Sequence, residues 1–483
     1  MNALMLQGTA SGVGKSILVA GLCRILARSG VRVAPFKPQN MSNNAAVCGD
    51  GGEIGRAQAL QAFACGLEPT VDMNPILLKP EQDRRAQLIV HGQVRGVMQA
   101  ERFREDRAPL LDEACASFDR LRREYEWIMV EGAGSAAEPN LRTHDLANMG
   151  FARRAGVPVW IVGDIDRGGV FASLLGTMLA LDPSDRRIVE AVVINRFRGA
   201  RELLGDAVEW LEERIAVPAL GVVSHLPDLR LPEEDSGYRF AKGRVTAPAR
   251  LEGMLRIVAI DYPRSSNLSD FDALEREARV DFALMSDPAA FSGADLVLLP
   301  GSKSVMSDLG WLRERGWEDV LGAHLRYGGH VLGICGGMQM LGTEIDDPEA
   351  VEGAGRLPGL GLLDLHTRFE VAKTARNVAG KARWPEEVDF AGYEIHHGVT
   401  PGDPELYPFH GLSPDELVAG TYVHGLFDTA AYRQALFASW LGHDVAGEDE
   451  SEACRVELDR VADGLLNDLD LSLLEARIGR KLA

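Results

Sequence analysis

Short apolar runs and longer helical patterns alternate along almost the whole chain. The runs "NALMLQG", "RVAPFKP", "WIMVEGAG", "PVWIVGD", "AVVINRF" and "ALGVVSH" have the near-continuous apolar character of strands buried on both faces. Between them lie segments such as "KSILVAGLCRILARSG", in which apolar residues recur at the spacing of a helix with one buried face. Strand, helix and strand in succession mark a mostly parallel sheet covered by helices, and predict one complete α/β domain over residues 1–228. The following stretch, "PDLRLPEEDSGYRFAKGRVTAPARLEG", is polar, rich in proline and glycine and without apolar period, which predicts a linker over 229–252. A second series, "LRIVAIDYP", "ADLVLLPGSKS", "GGHVLGICGG", "FAGYEIHHG" and "VAGTYVHGLF", predicts a second α/β domain over 253–446. Residues 447–483 read as a helical tail without visible chemistry. The expected fold class is α/β, with two doubly wound domains in tandem.

Composition narrows the functional classes. A chain of 483 residues can bury a separate core in each of two or three domains. Its 71 acidic and 51 basic residues give a net charge of −20, which argues against a nucleic acid or an anionic membrane as partner. Six cysteines, Cys23, Cys48, Cys65, Cys115, Cys335 and Cys454, show neither CxxC nor Cys/His ligand spacing, so neither a zinc site nor a disulfide framework is expected. The N-terminus lacks a charged leader with a long apolar core, and no stretch approaches the roughly 18 apolar residues of a membrane span. A cytoplasmic protein is expected.

Candidate chemistry concentrates at strand ends. In "VLGICGGMQMLG" Cys335 stands at the turn between an apolar strand and a helix, flanked by Gly333, Gly336 and Gly337. Glycines permit a strained turn, and the helix N-terminus directs N–H groups at the sulfur, which favours the thiolate. A buried, inert cysteine is the ordinary alternative. His424 in "GTYVHGLFD" also ends a strand, and a Cys–His pair is the minimum set for acyl transfer: the imidazole holds the thiolate and then protonates the leaving amine. "LLPGSKS" puts Gly301 and Ser302 after another buried strand, where their N–H groups, with that of Gly336, would form an oxyanion hole.

The N-terminal half carries a different signal. "GTASGVGKS" follows a strand and opens a helix, the context of a phosphate loop: Gly12 and Gly14 let backbone N–H groups face phosphate oxygens, Lys15 reaches the β and γ phosphates, and Ser16 ligates magnesium. Thr9 stands where the standard pattern has glycine. Glu131 ends the strand of "WIMVEGAGS", a position suited to Mg²⁺, and Glu53 in "GGEIGRAQALQA" is a further metal candidate, although a solvated glutamate at a helix start is the commoner case. "FKPQNMSNN" carries Lys37 and Asn40 at another strand end as phosphate or substrate contacts.

These motifs resemble two known domains. "GICGGMQ", "LPGSKS" and "YVHGLFD" are similar to the class I glutamine amidotransferases, a resemblance that implies Cys335 as nucleophile, His424 as base and L-glutamine as ammonia donor. Most such domains carry His-x-Glu, whereas Leu426 stands two positions beyond His424; an orienting acid then comes from elsewhere, such as Asp428 or Glu394, or is absent. The loop over residues 8–16 resembles the GTxSxxGK[ST] variant of dethiobiotin synthetase and its amidating relatives, which implies ATP with Mg²⁺ held by Ser16 and Glu131, and adenine read near Asn195. With "FKPQNMSNNAAV", "PNLRTHDLANMGFA" and "VGDIDRGGVFASLLGT", the likeness to the cobyric acid synthase family covers nearly the whole chain. It implies a ligase that amidates adenosylcobyrinic acid a,c-diamide; the cobyrinic acid a,c-diamide synthases share the architecture but are poorer in these signatures. A regulatory P-loop ATPase with an inactive amidotransferase-like module is the alternative of another class, against which Cys335 and His424 both count.

Overall fold

The computed structural model describes residues 2–82, 85–99, 107–142, 145–232, 253–353, 355–445 and 447–482. From residue 233 onward the predicted linker lies outside the described residues. Two compact units are present. The first comprises Met1–Ser42, Cys48–Leu231 and Cys454–Ala483, and the second Asn43–Val47 and Pro232–Ala453.

The first unit is built on six parallel strands: β1 (Ala3–Gly8), β2 (Val33–Phe36), β3 (Trp127–Glu131), β4 (Val159–Asp164), β5 (Val189–Phe197) and β6 (Ala219–Ser224), in the order β6-β5-β4-β1-β3-β2. Strands β1 to β4 are buried at every residue, as their unbroken apolar sequences require of a sheet covered on both faces. Helix α1 (Lys15–Arg28) starts at the left-handed Gly14 and buries Leu18, Val19, Leu22, Ile25 and Leu26. An antiparallel meander over residues 76–99 joins this unit; the strand series read from the sequence did not include it.

The second unit repeats the plan. Strands β7 (Leu255–Ile260), β8 (Val280–Met285), β9 (Leu296–Leu299), β10 (His330–Ile334), β13 (Phe409–Leu412) and β14 (Val418–Thr421) form a sheet in the order β8-β7-β9-β10-β14-β13, parallel except for the edge strand β13. Helix α2 (Gly336–Leu341) follows β10 directly, and a long antiparallel hairpin, β11 (His366–Ala382) with β12 (Val388–Val399), lies outside the main sheet.

Two boundaries differ from the sequence expectation. The tail is not separate: helices α3 (Glu450–Asp468) and α4 (Ser472–Ile478) place Leu458, Val461, Leu465 and Leu474 in the core of the first unit. Gly21 of α1 makes room for them, since a methyl there would stand 2.6 Å from Leu465 and 2.7 Å from Val461. Arg24 adds a two-pronged ion pair with Asp459 at 2.8 and 3.0 Å. Second, Asn43–Val47, expected within the N-terminal domain, packs with β11 and β12 in the second unit. Among the described residues no helix is long and apolar enough to cross a membrane.

Candidate active sites

In the second unit, β10 delivers Cys335 into a conformation that non-glycine residues seldom adopt, with φ 53° and ψ −109°. The turn is held by the Cys335 N–H donating to Thr421 O at 2.7 Å and by tight packing beneath it. A methyl on Gly337 would come within 1.9 Å of the Leu299 carbonyl oxygen, and one on Gly336 within 2.8 Å of the Ser302 nitrogen. Strain of this kind persists only where surrounding structure over-determines it, and it aims the thiol away from its own strand. Gly336 and Ser302 are thus neighbours in space, and Gly301 sits against the His424 ring, 3.1 Å from Cε1 for a methyl built there. Tyr262 donates its hydroxyl to the Pro300 carbonyl and Ser302 donates to Asp308 at 2.6 Å, fixing the loop on either side of Gly301. Cys335, His424, Gly301, Ser302 and Gly336 therefore belong to one locality.

His424 is almost wholly buried, and its backbone exchanges hydrogen bonds with Tyr393, whose ring stacks on the imidazole at 5.1 Å. Nδ1 lies 2.7 Å from a carboxylate oxygen of Asp270, while the second oxygen accepts from the Gly425 N–H at 3.0 Å. Burial alone would push the imidazole down, but the Asp270 charge and then the Cys335 sulfur outweigh it, and its pKa is pushed up to about 10. Nε2 faces the Asn267 amide at 3.3 Å.

Neither acid offered as an orienting group takes that place. Nδ1 has a single bond to make, and Asp270 makes it. Glu394 is committed to Arg376 at 2.7 Å, which with His396 holds its carboxyl below the ordinary value against the opposing effect of burial. Asp428 lies in the turn after His424, its N–H donating to Gly425 O at 3.0 Å.

In the first unit the phosphate loop leaves β1 and enters α1 with Gly12 at φ 71° and Gly14 at φ 95°. Lys15 arches back over the loop, donating to Ala10 O at 3.1 Å and Gly134 O at 2.9 Å. Glu131 gathers the remaining candidates: Ser16 Oγ and Lys37 Nζ reach Oε1 at 2.8 and 3.0 Å, and Gln61 Nε2 reaches Oε2 at 2.6 Å. Its burial favours the neutral acid, but the Lys37 charge and the bonds from Ser16 and Gln61 prevail and hold it below the usual carboxylate range. An ionised carboxylate beside a hydroxyl, at the mouth of a loop of backbone N–H groups, is a donor set suited to a hard cation accompanying a polyphosphate. Asn195 donates to Val13 O at 2.8 Å, and its amide lies against Gly14, so it supports the loop from below. Asn40 donates to Gln58 Oε1 at 2.9 Å, one residue removed from Glu131. Glu53 forms a buried ion pair with Lys79 of the meander.

Known proteins agree with this division. Residues 4–237 match the CobQ/CobB/MinD/ParA nucleotide binding domain, and residues 256–432 the CobB/CobQ-like glutamine amidotransferase domain. A cobyric acid synthase from Halorhodospira halophila is 57% identical over 98% of this chain and 97% of its own length. One from Rhizorhabdus wittichii is 48% identical over 99% of both chains. The chain belongs to the cobyric acid synthase family.

Within this family member, Asp270 and Asn267 are the site residues that sequence reasoning missed. They lie in "SSNLSDFDALER", which starts after four intervening residues beyond the end of β7, and Ser265–Ser266 of that segment pairs antiparallel with Gly301–Ser302. The available signal was position: the carboxyl end of a strand in a doubly wound sheet is where ligands and catalytic groups collect. A serine-, asparagine- and aspartate-rich turn before a short helix reads equally well as a cap.

Proposed function

We propose that this cobyric acid synthase family member amidates the b, d, e and g side-chain carboxylates of adenosylcobyrinic acid a,c-diamide, using ATP and glutamine. The observation that carries the proposal is the presence on one chain of two complete constellations: a phosphate loop whose Ser16 joins Lys37 on Glu131, and a strained Cys335 beside a His424 oriented by Asp270. The full-length kinship with proteins named cobyric acid synthase directs the choice of acceptor.

In the amidotransferase unit Cys335 attacks the glutamine side-chain amide. The N–H groups of Gly301, Ser302 and Gly336 stabilise the oxyanion. His424, protonated at neutral pH, delivers its Nε2 proton to the departing ammonia, and Asp270 holds the Nδ1 proton so that Nε2 points at the sulfur. His424 then activates water to release glutamate.

In the synthetase unit a corrin carboxylate attacks the γ-phosphoryl group of ATP, giving an acyl phosphate and ADP. Backbone N–H groups of the loop and Lys15 cradle the phosphates and neutralise charge as it shifts to the leaving group. Ser16 and Glu131 would hold a Mg²⁺ ion, which would supply further neutralisation of the phosphate charge. Ammonia then displaces phosphate to leave the amide.

The test supplies purified protein with ATP, Mg²⁺ and glutamine, and follows each corrinoid by mass spectrometry. Four successive amidations of adenosylcobyrinic acid a,c-diamide are expected. Amidation of cobyrinic acid alone, stopping at its a,c-diamide, would assign the protein to the diamide synthases instead.

A further inference from the structure

The stretch "FKPQNMSNN" is only partly used by the phosphate site. Lys37 binds Glu131 in the first unit, but from Asn43 the same stretch belongs to the second unit. There the Asn44 side-chain oxygen accepts the Asn267 backbone N–H at 3.2 Å, and the Asn267 amide meets His424 Nε2 at 3.3 Å. All three residues are buried.

This sequence of contacts ends on the atom that moves the proton. Nδ1 is committed to Asp270, so the direction in which Nε2 presents its proton, and accepts from the Asn267 amide once that proton has gone, depends on how firmly the other edge of the ring is held. Asn267 has a left-handed backbone, φ 56° and ψ 38°, a conformation asparagine tolerates but does not choose, and which needs support from its surroundings. Its buried N–H must find an acceptor inside the protein, and Asn44 supplies one.

We infer that Asn44 is a positioning residue of the glutamine-hydrolysing site, contributed by the chain segment that leaves the phosphate-site Lys37, and acts by fixing Asn267 against His424. This rests on Cys335 and His424 performing glutamine hydrolysis. A Cys335→Ser control that still releases glutamate would remove that foundation, whereas loss of glutamate release in the control leaves the Asn44 comparison decisive.

The measurement is steady-state glutamate release in the full-length protein, with ammonia-dependent amidation as the control for folding. Asn44→Ala should lower kcat for glutamine hydrolysis between about tenfold and a hundredfold, the scale of a small misplacement of a catalytic group, and leave KM for glutamine near wild type. Asn44→Asp, which keeps the acceptor oxygen, should restore most of the turnover. Asn267→Gly accepts the left-handed backbone without the amide and should reproduce the loss, and adding Asn44→Ala to it should cost nothing more. Wild-type kcat in Asn44→Ala, or losses that multiply in the double variant, would overturn the assignment. If Asn44→Ala fails the folding control, Asn267→Gly decides: lowered kcat at unchanged KM supports the contact route, and wild-type kcat overturns it.

Discussion

At the scale of single residues, the mechanism proposed for the amidotransferase unit turns on the orientation of His424. Asp270 supplies the charge that Leu426 does not, from a position 154 residues away along the chain. Asp270→Asn preserves shape but offers Nδ1 an amide in place of the carboxylate, and the corresponding change in a complete triad costs about ten-thousandfold. Glutamine-dependent amidation in Asp270→Asn should therefore fall by roughly a hundredfold to ten-thousandfold, while ammonia-dependent amidation persists. A second consequence follows from linkage. His424 has its pKa raised from 6.5 to about 10, so the folded unit binds that proton more tightly than the unfolded chain does. The resulting stabilisation is fully present below pH 6.5 and is lost as pH rises to about 10. Thermal unfolding of the wild type should show that decline, and Asp270→Asn should flatten it.

At the scale of elements, the strand–turn–helix unit of β10 and α2 is a rigid mount. Gly337→Ala would drive a methyl into the Leu299 carbonyl, and should destabilise the second unit by about 3 kcal/mol or more, read as a lowered unfolding midpoint. In the first unit α3 completes the core. Leu465→Ala, at a side chain packed on Gly21, should cost about 2–5 kcal/mol and impair ammonia-dependent amidation before glutamate release. Much of this architecture was legible in the chain. The buried strands of both main sheets are nearly continuous apolar runs, and the candidate positions Cys335, His424 and Glu131 near strand ends, with Ser16 in the first turn of α1, stand out against that pattern. Elements with one wet face were less visible: β11 carries exposed residues along most of its length, which breaks the apolar signal. The amphipathic pattern of α3 announced a helix but could not say which core it completes. Asp270 was hidden for a third reason, that its partner is set by sheet order, and the ion pair of Glu53 was not legible because Lys79 lies on a meander not recognised in the sequence.

At the scale of the whole molecule, two chemistries with separate requirements share one polypeptide. Charge at the transferring phosphoryl group is needed whichever nitrogen source is used. Lys15→Ala and Glu131→Gln should therefore each lower amidation by roughly a hundredfold or more with glutamine and with ammonia alike. The nucleophile is needed only to make ammonia. Amidation of the corrinoid by Cys335→Ser, assayed side by side with glutamine and with ammonium as the nitrogen source, is the most direct test of this division. Glutamine-dependent product should vanish while ammonia-dependent product continues near the wild-type rate; loss of both in a folded protein, or persistence of the glutamine-dependent reaction, would contradict it.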